Sequence, residues 1–397
     1  MKNLLFVMDS LENNGAVASL INLLSALDYN KYTVDLFVLN HKYDFFKNQL
    51  PNDVNLLPKD DRLNYFFQPL KESLLWYVRK HYFRLAFLKI LVWLLSKVNS
   101  VRAYETIFPQ AIKSFSKITK KYDAVIAYND FFPWVVAVEC VDATETIGWN
   151  HSIYDSIGYS DRIYGRELKK LDKIVTISEI CKDSLIKHFQ IDDNKIFIIE
   201  NIINKDRIVD LARKKVNFAF NKNEISLMSI GRLHFQKGYD IFIEALSKIH
   251  VKWKWHFYII GDGPDRESLL ALIERFALND NITLLGPKEN PYPYLSKCDI
   301  YVQPSRFEGY GIAIDEAIAL NKPVLATDTV RERFDDGKNI LLCECNAKAW
   351  KMLLEKVFED ISLLKVIESG TYDVNLDRGI QKFYKMLGSK DLCGVIK

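Results

Sequence analysis

Several features that define other classes of protein are missing from this sequence. Its 397 residues include only six cysteines, with no Cys-x-x-Cys pair and no disulfide-like density, which predicts reduced thiols in a cytosolic protein. The formal net charge is only +3, too small to indicate an overall nucleic-acid-binding surface. No predicted strand is followed by Gly-x-Gly-x-x-Gly with a downstream acidic residue, so a dinucleotide oxidoreductase is disfavoured.

Long hydrophobic runs are also missing. The most apolar segment, Leu85 to Val98, is interrupted by Lys89 and Lys97 and is too short to span a bilayer. Residues 1–8 carry one lysine and a very short apolar run, which predicts a first strand and no signal peptide. The chain is 49% hydrophobic and 26% charged, as soluble globular proteins are, and its length favours two domains. We expect a cytoplasmic protein.

The most informative stretch runs from Cys298 to Thr327. A short apolar run stopped by Pro304 predicts a buried strand. Gly309 and Gly311 then permit a turn in which bare backbone can approach a ligand. The next residues have helical spacing and lead into a second strand. The stretch therefore predicts a strand, a glycine-rich turn, a helix and a strand.

Two glutamates belong to this turn and helix. Glu308 lies in the turn beside backbone N–H groups at a helix N-terminus, which bind anions readily. Glu316 lies about one turn into the helix, and its side chain leans back toward the same end. This end thus offers amide dipoles for phosphate and two acceptors for hydroxyls, the groups that a nucleotide-sugar presents. An ordinary βαβ unit with two solvated glutamates is the alternative.

Further motifs precede this stretch in a definite order. They are Gly231-Arg232-Leu233 with Lys237-Gly238, then Gly261-Asp262-Gly263-Pro264, then Gly286 after a strand. Together with Glu308-x7-Glu316 inside Phe-Glu-Gly-Tyr-Gly, their order and spacing across residues 225–340 resemble the retaining family-4 glycosyltransferases of GT-B fold. The N-terminal half resembles this family more loosely.

The resemblance implies an α/β protein of GT-B fold, with two Rossmann-like domains facing each other across a cleft. An acceptor-binding domain is expected over residues 1–205 and a nucleotide-sugar-binding domain over 206–375. A helix within 376–397 is expected to cross back to the first domain. The linker is expected between Ile203 and Glu224. Independently, the βαβ pattern of residues 4–39 predicts a Rossmann-like opening.

The implied activity is transfer of a sugar, with retention, from a nucleotide-diphosphate sugar, expected to be a UDP-sugar, to a hydroxyl acceptor. No Asp-x-Asp motif follows any predicted strand, so neither a metal nor another cofactor is expected. Fixed cations and a helix N-terminus would stabilise the leaving diphosphate instead. The expected catalytic residues are Glu308, Arg232, Lys237 and His151, and the expected donor-binding residues are Gly309, Tyr310, Gly311, Glu316, Gly231 and Gly15.

Four of the five expected site residues outside the Cys298–Thr327 stretch rest on observations of their own, and Gly231 belongs to the Gly-Arg-Leu motif. Arg232 and Lys237 could clamp a diphosphate with a guanidinium fork and an ammonium, although solvated surface charges are the alternative. His151 follows a predicted strand, where open α/β sheets bind ligands, and a structural histidine is its alternative. Around Gly15 the family usually has a glycine pair and an acidic residue, but here only Gly15 is present and Val17 holds the acidic position.

Residues 62–105 form an unusual insert. No acidic residue lies between Glu72 and Glu105, and basic residues alternate with aromatic ones. The basic residues are Arg79, Lys80, Arg84, Lys89, Lys97 and Arg102, and the aromatic ones are Trp76, Tyr77, Tyr82, Phe83, Phe87 and Trp93. Such a segment can lie in a membrane interface, or it can be a helix pair that packs on the first domain with its charges outward.

The membrane interpretation suggests an acceptor and a partner. We expect a lipid-linked saccharide at the inner membrane face, in capsule, exopolysaccharide or teichoic-type assembly. An anionic membrane surface is then the expected partner, and nucleic acid is not. Two other functions fit the pattern: a non-catalytic partner subunit of a glycosyltransferase pair, indicated by the altered loops near Gly15 and after Asp328, and a nucleotide-sugar epimerase of the same architecture.

Overall fold

The computed structural model describes residues 1–42, 44–334, 336–337, 340–364 and 376–388. The chain forms two compact units. Unit 1 contains Met1–Ile202 and the chain from Asp377 onward, and unit 2 contains Ile203–Leu376. These bounds lie within three residues of the domain limits expected from the sequence.

Fifteen strands account for the sheets of the described residues. They are β1 (Lys2–Met8), β2 (Tyr32–Val38), β3 (Val54–Leu56), β4 (Ile118–Tyr122), β5 (Ala124–Ala127), β6 (Val141–Ala143), β7 (Thr146–Asn150), β8 (Lys173–Thr176), β9 (Ile196–Ile198), β10 (Ile225–Ile230), β11 (Trp255–Ile260), β12 (Ile282–Gly286), β13 (Ile300–Gln303), β14 (Val324–Thr327) and β15 (Ile340–Cys343).

The α-helices are α1 (Gly15–Ala26), α2 (Asp61–Phe66), α3 (Leu70–Arg79), α4 (Phe83–Ser96), α5 (Ser100–Ala111), α6 (Phe132–Cys140), α7 (Asp161–Leu168), α8 (Glu179–His188), α9 (Lys205–Ala212), α10 (Tyr239–Leu246), α11 (Arg266–Arg275), α12 (Tyr292–Leu295), α13 (Ile312–Ala319), α14 (Ala347–Glu359) and α15 (Leu376–Met386). Short 3-10 helices lie at Lys47–Gln49, Ile112–Ser114, Tyr154–Ser156, Asp193–Lys195, Phe235–Lys237 and Asp328–Val330.

Each unit contains one large parallel sheet. Unit 1 has seven strands in the order β3-β2-β1-β5-β7-β8-β9, and unit 2 has six in the order β12-β11-β10-β13-β14-β15. A two-stranded sheet pairs β4 with β6. The strand order reverses between β1 and β5 and between β10 and β13. In open α/β sheets, ligands bind at the carboxyl ends of the strands beside such a reversal.

The central strands are apolar because helices cover both faces of a parallel sheet. Leu4–Met8 of β1 and Val324–Ala326 of β14 are fully buried. Each unit has its own hydrophobic core around its sheet. The predicted βαβ opening is therefore present, as β1, α1 and β2.

Two predicted segments contain more helix than expected. One of the two interpretations of the insert was a helix pair, whereas four helices, α2 to α5, run from Asp61 to Ala111. Charged residues made 203–224 look like a linker, but it contains α9, which belongs to unit 2. Asn204 caps this helix by accepting a hydrogen bond from the Arg207 amide at 3.0 Å, and Ile208 is fully buried.

The C-terminal helix α15 packs within unit 1. The Tyr384 hydroxyl accepts a hydrogen bond from the Asp28 amide at 2.8 Å, and its ring stacks on Tyr32 with centroids 5.5 Å apart. Lys382 forms an ion pair with Glu200 at 2.7 Å. The sequence placed this helix within 376–397, of which residues 389–397 lie outside the described residues.

Candidate functional site

The carboxyl ends of β10 and β13 bring two predicted motifs together. These strands are parallel neighbours, followed by the loops 231–238 and 304–311. The Arg306 amide donates to the Gln236 carbonyl at 2.8 Å, and the Gln236 side-chain amide donates to the Phe307 carbonyl at 3.1 Å. The two loops are thus bonded to each other at the strand reversal.

Lys237 and Glu308 form an ion pair at the centre of this junction. The Lys237 ammonium lies 2.5 Å from Glu308 Oε1, with the side chains 19% and 8% exposed. The same oxygen accepts hydrogen bonds from Gln303 Nε2 and Ser305 Oγ, both at 2.6 Å. Oε2 of Glu308 accepts none from the described residues. The carboxylate is therefore fixed through one oxygen, and the other is available to a ligand.

Glycines allow the two loops to approach this closely. A Cβ on Gly231 would lie 2.9 Å from the Tyr239 hydroxyl oxygen and 3.2 Å from Lys237 Cε, so Gly231 leaves space for the lysine side chain. Gly238 has φ +63°, and a Cβ there would lie 2.0 Å from the Pro304 carbonyl oxygen. The observed role of Gly231 is to place Lys237, and its predicted contact with the donor stays a prediction.

The N-terminus of α13 borders the same loop. Gly311 precedes this helix with φ +78°, and within the described part of the chain no side chain caps it. Arg333 forms a two-pronged ion pair with Asp315 of the first turn, at 3.0 and 2.9 Å. Its guanidinium lies 3.5 Å from the centroid of the Tyr310 ring. These contacts fix the turn around Gly309 and Tyr310 while the helix keeps an uncapped end.

Glu316 differs sharply from Glu308. It is only 4% exposed, and its Oε1 accepts a hydrogen bond from the Tyr292 hydroxyl of α12 at 2.7 Å. Burial raises the pKa of Glu316 to about 7, an effect that its hydrogen bond to Tyr292 and the nearby Arg207 partly offset. The sequence could not distinguish the two glutamates, because their partners depend on which elements pack against the loop of Glu308 and against α13.

Arg232 is exposed, and within the described chain it has no hydrogen-bond or ion-pair partner. The sequence reasoning missed Arg306, which forms a two-pronged ion pair with Asp240 at 2.7 and 2.6 Å and lies 3.9 Å from the centroid of the Phe235 ring. It also missed Gln303 as a partner of Glu308. A glutamine at the end of an apolar strand was the available signal.

In unit 1, Gly15 is the first residue of α1. The preceding Asn14 caps this helix, its Oδ1 accepting a hydrogen bond from the Val17 amide at 3.0 Å. The helix N-terminus therefore has a side-chain cap of its own. Gly15 itself is exposed, and its contact with the donor stays a prediction.

His151 follows β7, at the carboxyl edge of the unit 1 sheet. Its ring packs near Tyr128 and Trp149, with centroid distances of 4.9 and 6.1 Å. Burial lowers the pKa of His151 to about 3, so the imidazole is neutral at physiological pH. Its Nε2 is buried and has no hydrogen-bond partner in the described part of the chain. His151 is therefore a neutral ring whose Nε2 has no hydrogen-bond partner among the described residues.

Two other buried polar atoms near this sheet edge were not predicted. Asp9 follows β1 and Asn150 ends β7, and Oδ1 of each is buried without a hydrogen-bond partner among the described residues. Burial raises the pKa of Asp9 to about 8. Asp130, which accepts a hydrogen bond from Asn150 Nδ2 at 2.6 Å, lies after β5 between them. Unit 1 thus presents carboxyl and amide groups where unit 2 presents cations.

Across the described ranges, no group of three or more His, Cys, Asp or Glu side chains is arranged to hold a metal ion. None of the helices in those ranges is both long and apolar enough to cross a bilayer.

Two family models match the chain. The model described as glycosyl transferases group 1 matches residues 211–373, and the model described as glycosyltransferase family 4 matches residues 13–207. Together they cover most of both units. The likeness that the sequence motifs indicated in the second half therefore extends to the first.

Curated relatives match over part of their length. A Campylobacter jejuni protein named N-acetylgalactosamine-N,N'-diacetylbacillosaminyl-diphospho-undecaprenol 4-alpha-N-acetylgalactosaminyltransferase is 30% identical over 50% of this chain and 54% of its own. The lipopolysaccharide core biosynthesis glycosyltransferase LpsE of Rhizobium meliloti is 27% identical over 43% of this chain and 49% of its own. The chain thus spans about half the length of the curated relatives it matches.

Solved structures match over nearly the whole chain. Anabaena Alr3699/HepE in complex with UDP and glucose has a TM-score of 0.68 at 16% identity, covering 98% of this chain and 100% of that one. At this identity the likeness shows the fold alone. It confirms the predicted GT-B fold, with an α/β architecture and parallel sheets in two Rossmann-like domains.

Proposed function

We propose that this chain, which belongs to the GT-B glycosyltransferases, transfers a sugar from a nucleotide-diphosphate sugar to a hydroxyl of a saccharide acceptor, with retention at the anomeric carbon. A UDP-sugar is the donor that we propose. The observation that carries the proposal is the Lys237–Glu308 pair, 2.5 Å apart, beside the uncapped N-terminus of α13. This edge of unit 2 combines positive charge for a diphosphate with a carboxylate for sugar hydroxyls.

The diphosphate is the leaving group, and negative charge builds on it as the bond to the sugar breaks. Lys237, Arg232 and the amides at the start of α13 stabilise this charge, each well-placed donor contributing roughly 3 kcal/mol. A diphosphate carries more charge than one carboxylate, so it competes with Glu308 for the Lys237 ammonium. Arg232, exposed and unpartnered among the described residues, turns toward the ligand when it binds.

Glu308 keeps its position when Lys237 turns to the donor. Gln303 and Ser305 still donate to Oε1, which leaves Oε2 to accept hydrogen bonds from the transferred sugar. The backbone of Gly309, Tyr310 and Gly311 lies against the phosphates. Glu316 accepts from the ribose, and its position four residues along the same helix supports that role.

His151 contacts the sugar or the acceptor as a neutral ring. Its low pKa, caused by burial, removes the imidazolium as a source of positive charge. Its unpartnered Nε2 suits a hydrogen bond from a hydroxyl. The carboxyl and amide groups of Asp9, Asp130 and Asn150 at the same sheet edge support a neutral, hydroxyl-rich acceptor.

We propose that transfer needs no divalent metal ion. Lys237, Arg232 and the α13 amides already supply positive charge at the position where the diphosphate lies. Transfer measured after chelation with EDTA should match transfer with added Mg²⁺ or Mn²⁺. Loss of turnover on chelation, restored by either ion, would overturn this part of the proposal.

The acceptor that we propose is lipid-linked, and the pathway is assembly of a surface polysaccharide such as a capsule, exopolysaccharide or teichoic-type polymer. The Campylobacter jejuni relative is named for a diphospho-undecaprenol-linked substrate, and the Rhizobium meliloti relative for lipopolysaccharide core biosynthesis. These names support the proposal, which locates the protein in the cytoplasm at the inner face of the membrane.

A thermal-shift screen of nucleotide-sugars tests the donor, because a ligand that binds only the folded state raises the apparent melting temperature. We expect a UDP-sugar to give the largest shift. The matched donor is then incubated with and without saccharide acceptors, and the anomeric configuration of the product is read by NMR. A folded chain that neither hydrolyses nor transfers any donor would instead support the partner-subunit function. Conversion of the donor sugar without an acceptor would support an epimerase.

A further inference from the structure

The face of α4 that points away from unit 1 is apolar. Leu85, Leu88, Lys89 and Val92 are buried at helical spacing and turn one side of the helix toward the core. On the other side lie Phe83, Phe87, Ile90 and Leu94, at spacings of four, three and four residues, all exposed. A surface helix of a globular domain normally carries polar residues there. α4 therefore carries apolar residues on both sides but buries only one of them.

The exposed apolar residues form a concentrated set. Of the seventeen exposed large hydrophobic residues among the described ones, eleven lie between residues 75 and 101. We call this set the α4 patch: Leu75, Val78, Tyr82, Phe83, Phe87, Ile90, Trp93, Leu94, Leu95, Val98 and Val101. Concentration on this scale marks an interaction surface, whereas single exposed hydrophobic residues are normal.

Lys89 fixes which side of α4 faces outward. Its ammonium is buried and donates to the Phe66 carbonyl at 2.6 Å and the Tyr104 hydroxyl at 2.9 Å. Burial lowers the pKa of Lys89 to about 8. The sequence grouped this lysine with the basic residues of a membrane interface, but it instead anchors α4 to the domain. Tyr77 is likewise buried, and Trp76 partly so.

Basic residues surround the α4 patch. Arg79, Lys80, Lys97 and Arg102 are exposed, and within the described ranges none of them forms an ion pair. Lys97 lies over the Trp93 ring, 4.0 Å from its centroid. No acidic residue lies between Glu72 and Glu105, and Glu105 is buried, accepting a hydrogen bond from the Ser160 amide at 3.0 Å. Exposed cations that form no ion pair within the described ranges thus neighbour the apolar residues along the chain.

We infer that the α4 patch binds the surface of an anionic lipid bilayer, with its aromatic and aliphatic side chains among the acyl chains and its cations at the headgroups. Fourteen residues give a helix about 21 Å long, shorter than the roughly 30 Å hydrocarbon core, so α4 lies in the interface and does not cross it. A second copy of the chain is a poorer partner, because pairing through this face would bring like charges together.

This inference rests on the proposed function only where it explains why membrane binding would be useful. A chain held at the membrane by unit 1 would reach a lipid-linked acceptor without leaving the surface. The binding itself requires neither donor nor acceptor, so failure of vesicle binding and failure of sugar transfer are separate outcomes.

The test is flotation of the full chain with vesicles of phosphatidylcholine alone or mixed with phosphatidylglycerol. We expect binding to the mixed vesicles and a fall of roughly a hundredfold in partitioning for the triple variant Phe87→Ser, Trp93→Ser, Leu94→Ser. The matched control replaces exposed apolar residues elsewhere, Ile186→Ser with Trp253→Ser, and should bind as the wild type does. All the substituted side chains are exposed, so melting temperatures should change little.

A second variant isolates the charges. Arg79→Gln, Lys80→Gln and Lys97→Gln together should weaken binding to phosphatidylglycerol vesicles by about fivefold per residue and reduce its dependence on salt. Transfer to a short water-soluble acceptor should be unchanged in either variant, while transfer to a lipid-linked acceptor in vesicles should fall. Wild-type chain that fails to float with anionic vesicles, or that forms a dimer abolished by the triple Ser variant, would overturn the inference.

Discussion

Each unit has a helix that starts near the central strands of its sheet, and the N-termini of these two helices differ in capping. In unit 1, Asn14 caps α1 with its own side chain, 3.0 Å from the Val17 amide. In unit 2, α13 follows Gly311 at φ +78°, and no side chain of the described residues caps it. The first N–H groups of a helix lack partners within it, and a cap occupies one of them. The difference indicates that unit 2 leaves a helix end open to an anion and that unit 1 closes one.

The side chains at the carboxyl edges of the two sheets also differ in charge, and again it is unit 2 that suits an anion. Unit 2 has Lys237 and the exposed Arg232 at the strand reversal. Unit 1 has Asp9, Asp130 and the neutral His151 at its sheet edge. A diphosphate donor suits the first edge, and the neutral hydroxyls of a saccharide suit the second. The residues of each edge thus support the proposed division into a donor-binding and an acceptor-binding unit.

The largest expected effect is a loss of activity when Lys237, Arg232 or Glu308 is substituted. Lys237→Ala, Arg232→Ala and Glu308→Gln should each lower kcat/KM for the matched donor about a hundredfold, because each removes a group that we propose to contact the donor. The matched control is Lys248→Ala. Lys248 also lies 2.5 Å from a glutamate of unit 2, Glu244, but on the exposed surface, and should change activity less than twofold. Equal losses in Lys237→Ala and Lys248→Ala would remove the distinction between site and surface.

The next effect concerns the pH dependence of stability. Burial raises the pKa of Glu316 from 4.5 to about 7, so the folded state holds this proton more tightly than the unfolded state does. The wild type therefore loses stability as pH rises from about 4.5 to about 7, and by about 3 kcal/mol at most. Glu316→Gln removes this loss. Its stability relative to the wild type should increase by that amount between pH 4.5 and pH 8.

Urea unfolding at the two pH values measures the difference. Glu267→Gln is the control for the substitution itself, since this glutamate of unit 2 is 87% exposed. A constant difference between Glu316→Gln and the wild type would contradict the burial of a carboxyl group at this position.

A smaller effect compares two glycines that precede or begin a helix. Gly311→Ala places a side chain at φ +78° and should destabilise the protein by about 1–2 kcal/mol. A Cβ there meets no atom nearer than 3.4 Å, so backbone strain is the cause. Gly15→Ala, in α1 and without positive φ, should be neutral or slightly stabilising. Equal destabilisation in thermal melts would show that the two helix starts are equivalent after all.

The smallest expected effect is removal of the α1 cap. Asn14→Ala leaves the Val17 amide without its partner and should lower the unfolding free energy by about 1 kcal/mol. Asn14→Asp, which can still accept the bond, should retain most of the stability. Denaturant midpoints of the three proteins make the comparison, and a midpoint for Asn14→Ala equal to that of the wild type would show that the cap contributes nothing.

Much of the fold could be predicted from the sequence because its signals are local. Apolar runs such as residues 4–8 and 324–326 indicate strands buried on both faces, and Gly309 and Gly311 indicate the turn before α13. The helix α9 was missed because the charged residues from Lys205 to Arg207 are typical of a polar linker. Asn204 as its cap and Ile208 as its buried residue were the signals available.

The site was predicted as a set of residues but not as a set of contacts. That Lys237 and Glu308 touch depends on β10 and β13 being neighbours, and strand order is not a local property. That Glu316 is buried against Tyr292 and Lys89 against Phe66 depends on which elements cover each helix face. Spacing along the chain assigns residues to a face of a helix. Whether that face is exposed to solvent or buried depends on the elements that pack against it.

Calorimetric titration with UDP tests most directly whether the edge of unit 2 binds the donor's diphosphate. We predict saturable binding to the wild type and to Lys248→Ala with equal affinity, and at least tenfold weaker binding to Lys237→Ala, because we propose that the ammonium contacts the phosphates directly. Identical affinity for UDP in the wild type and in a folded Lys237→Ala variant would contradict it.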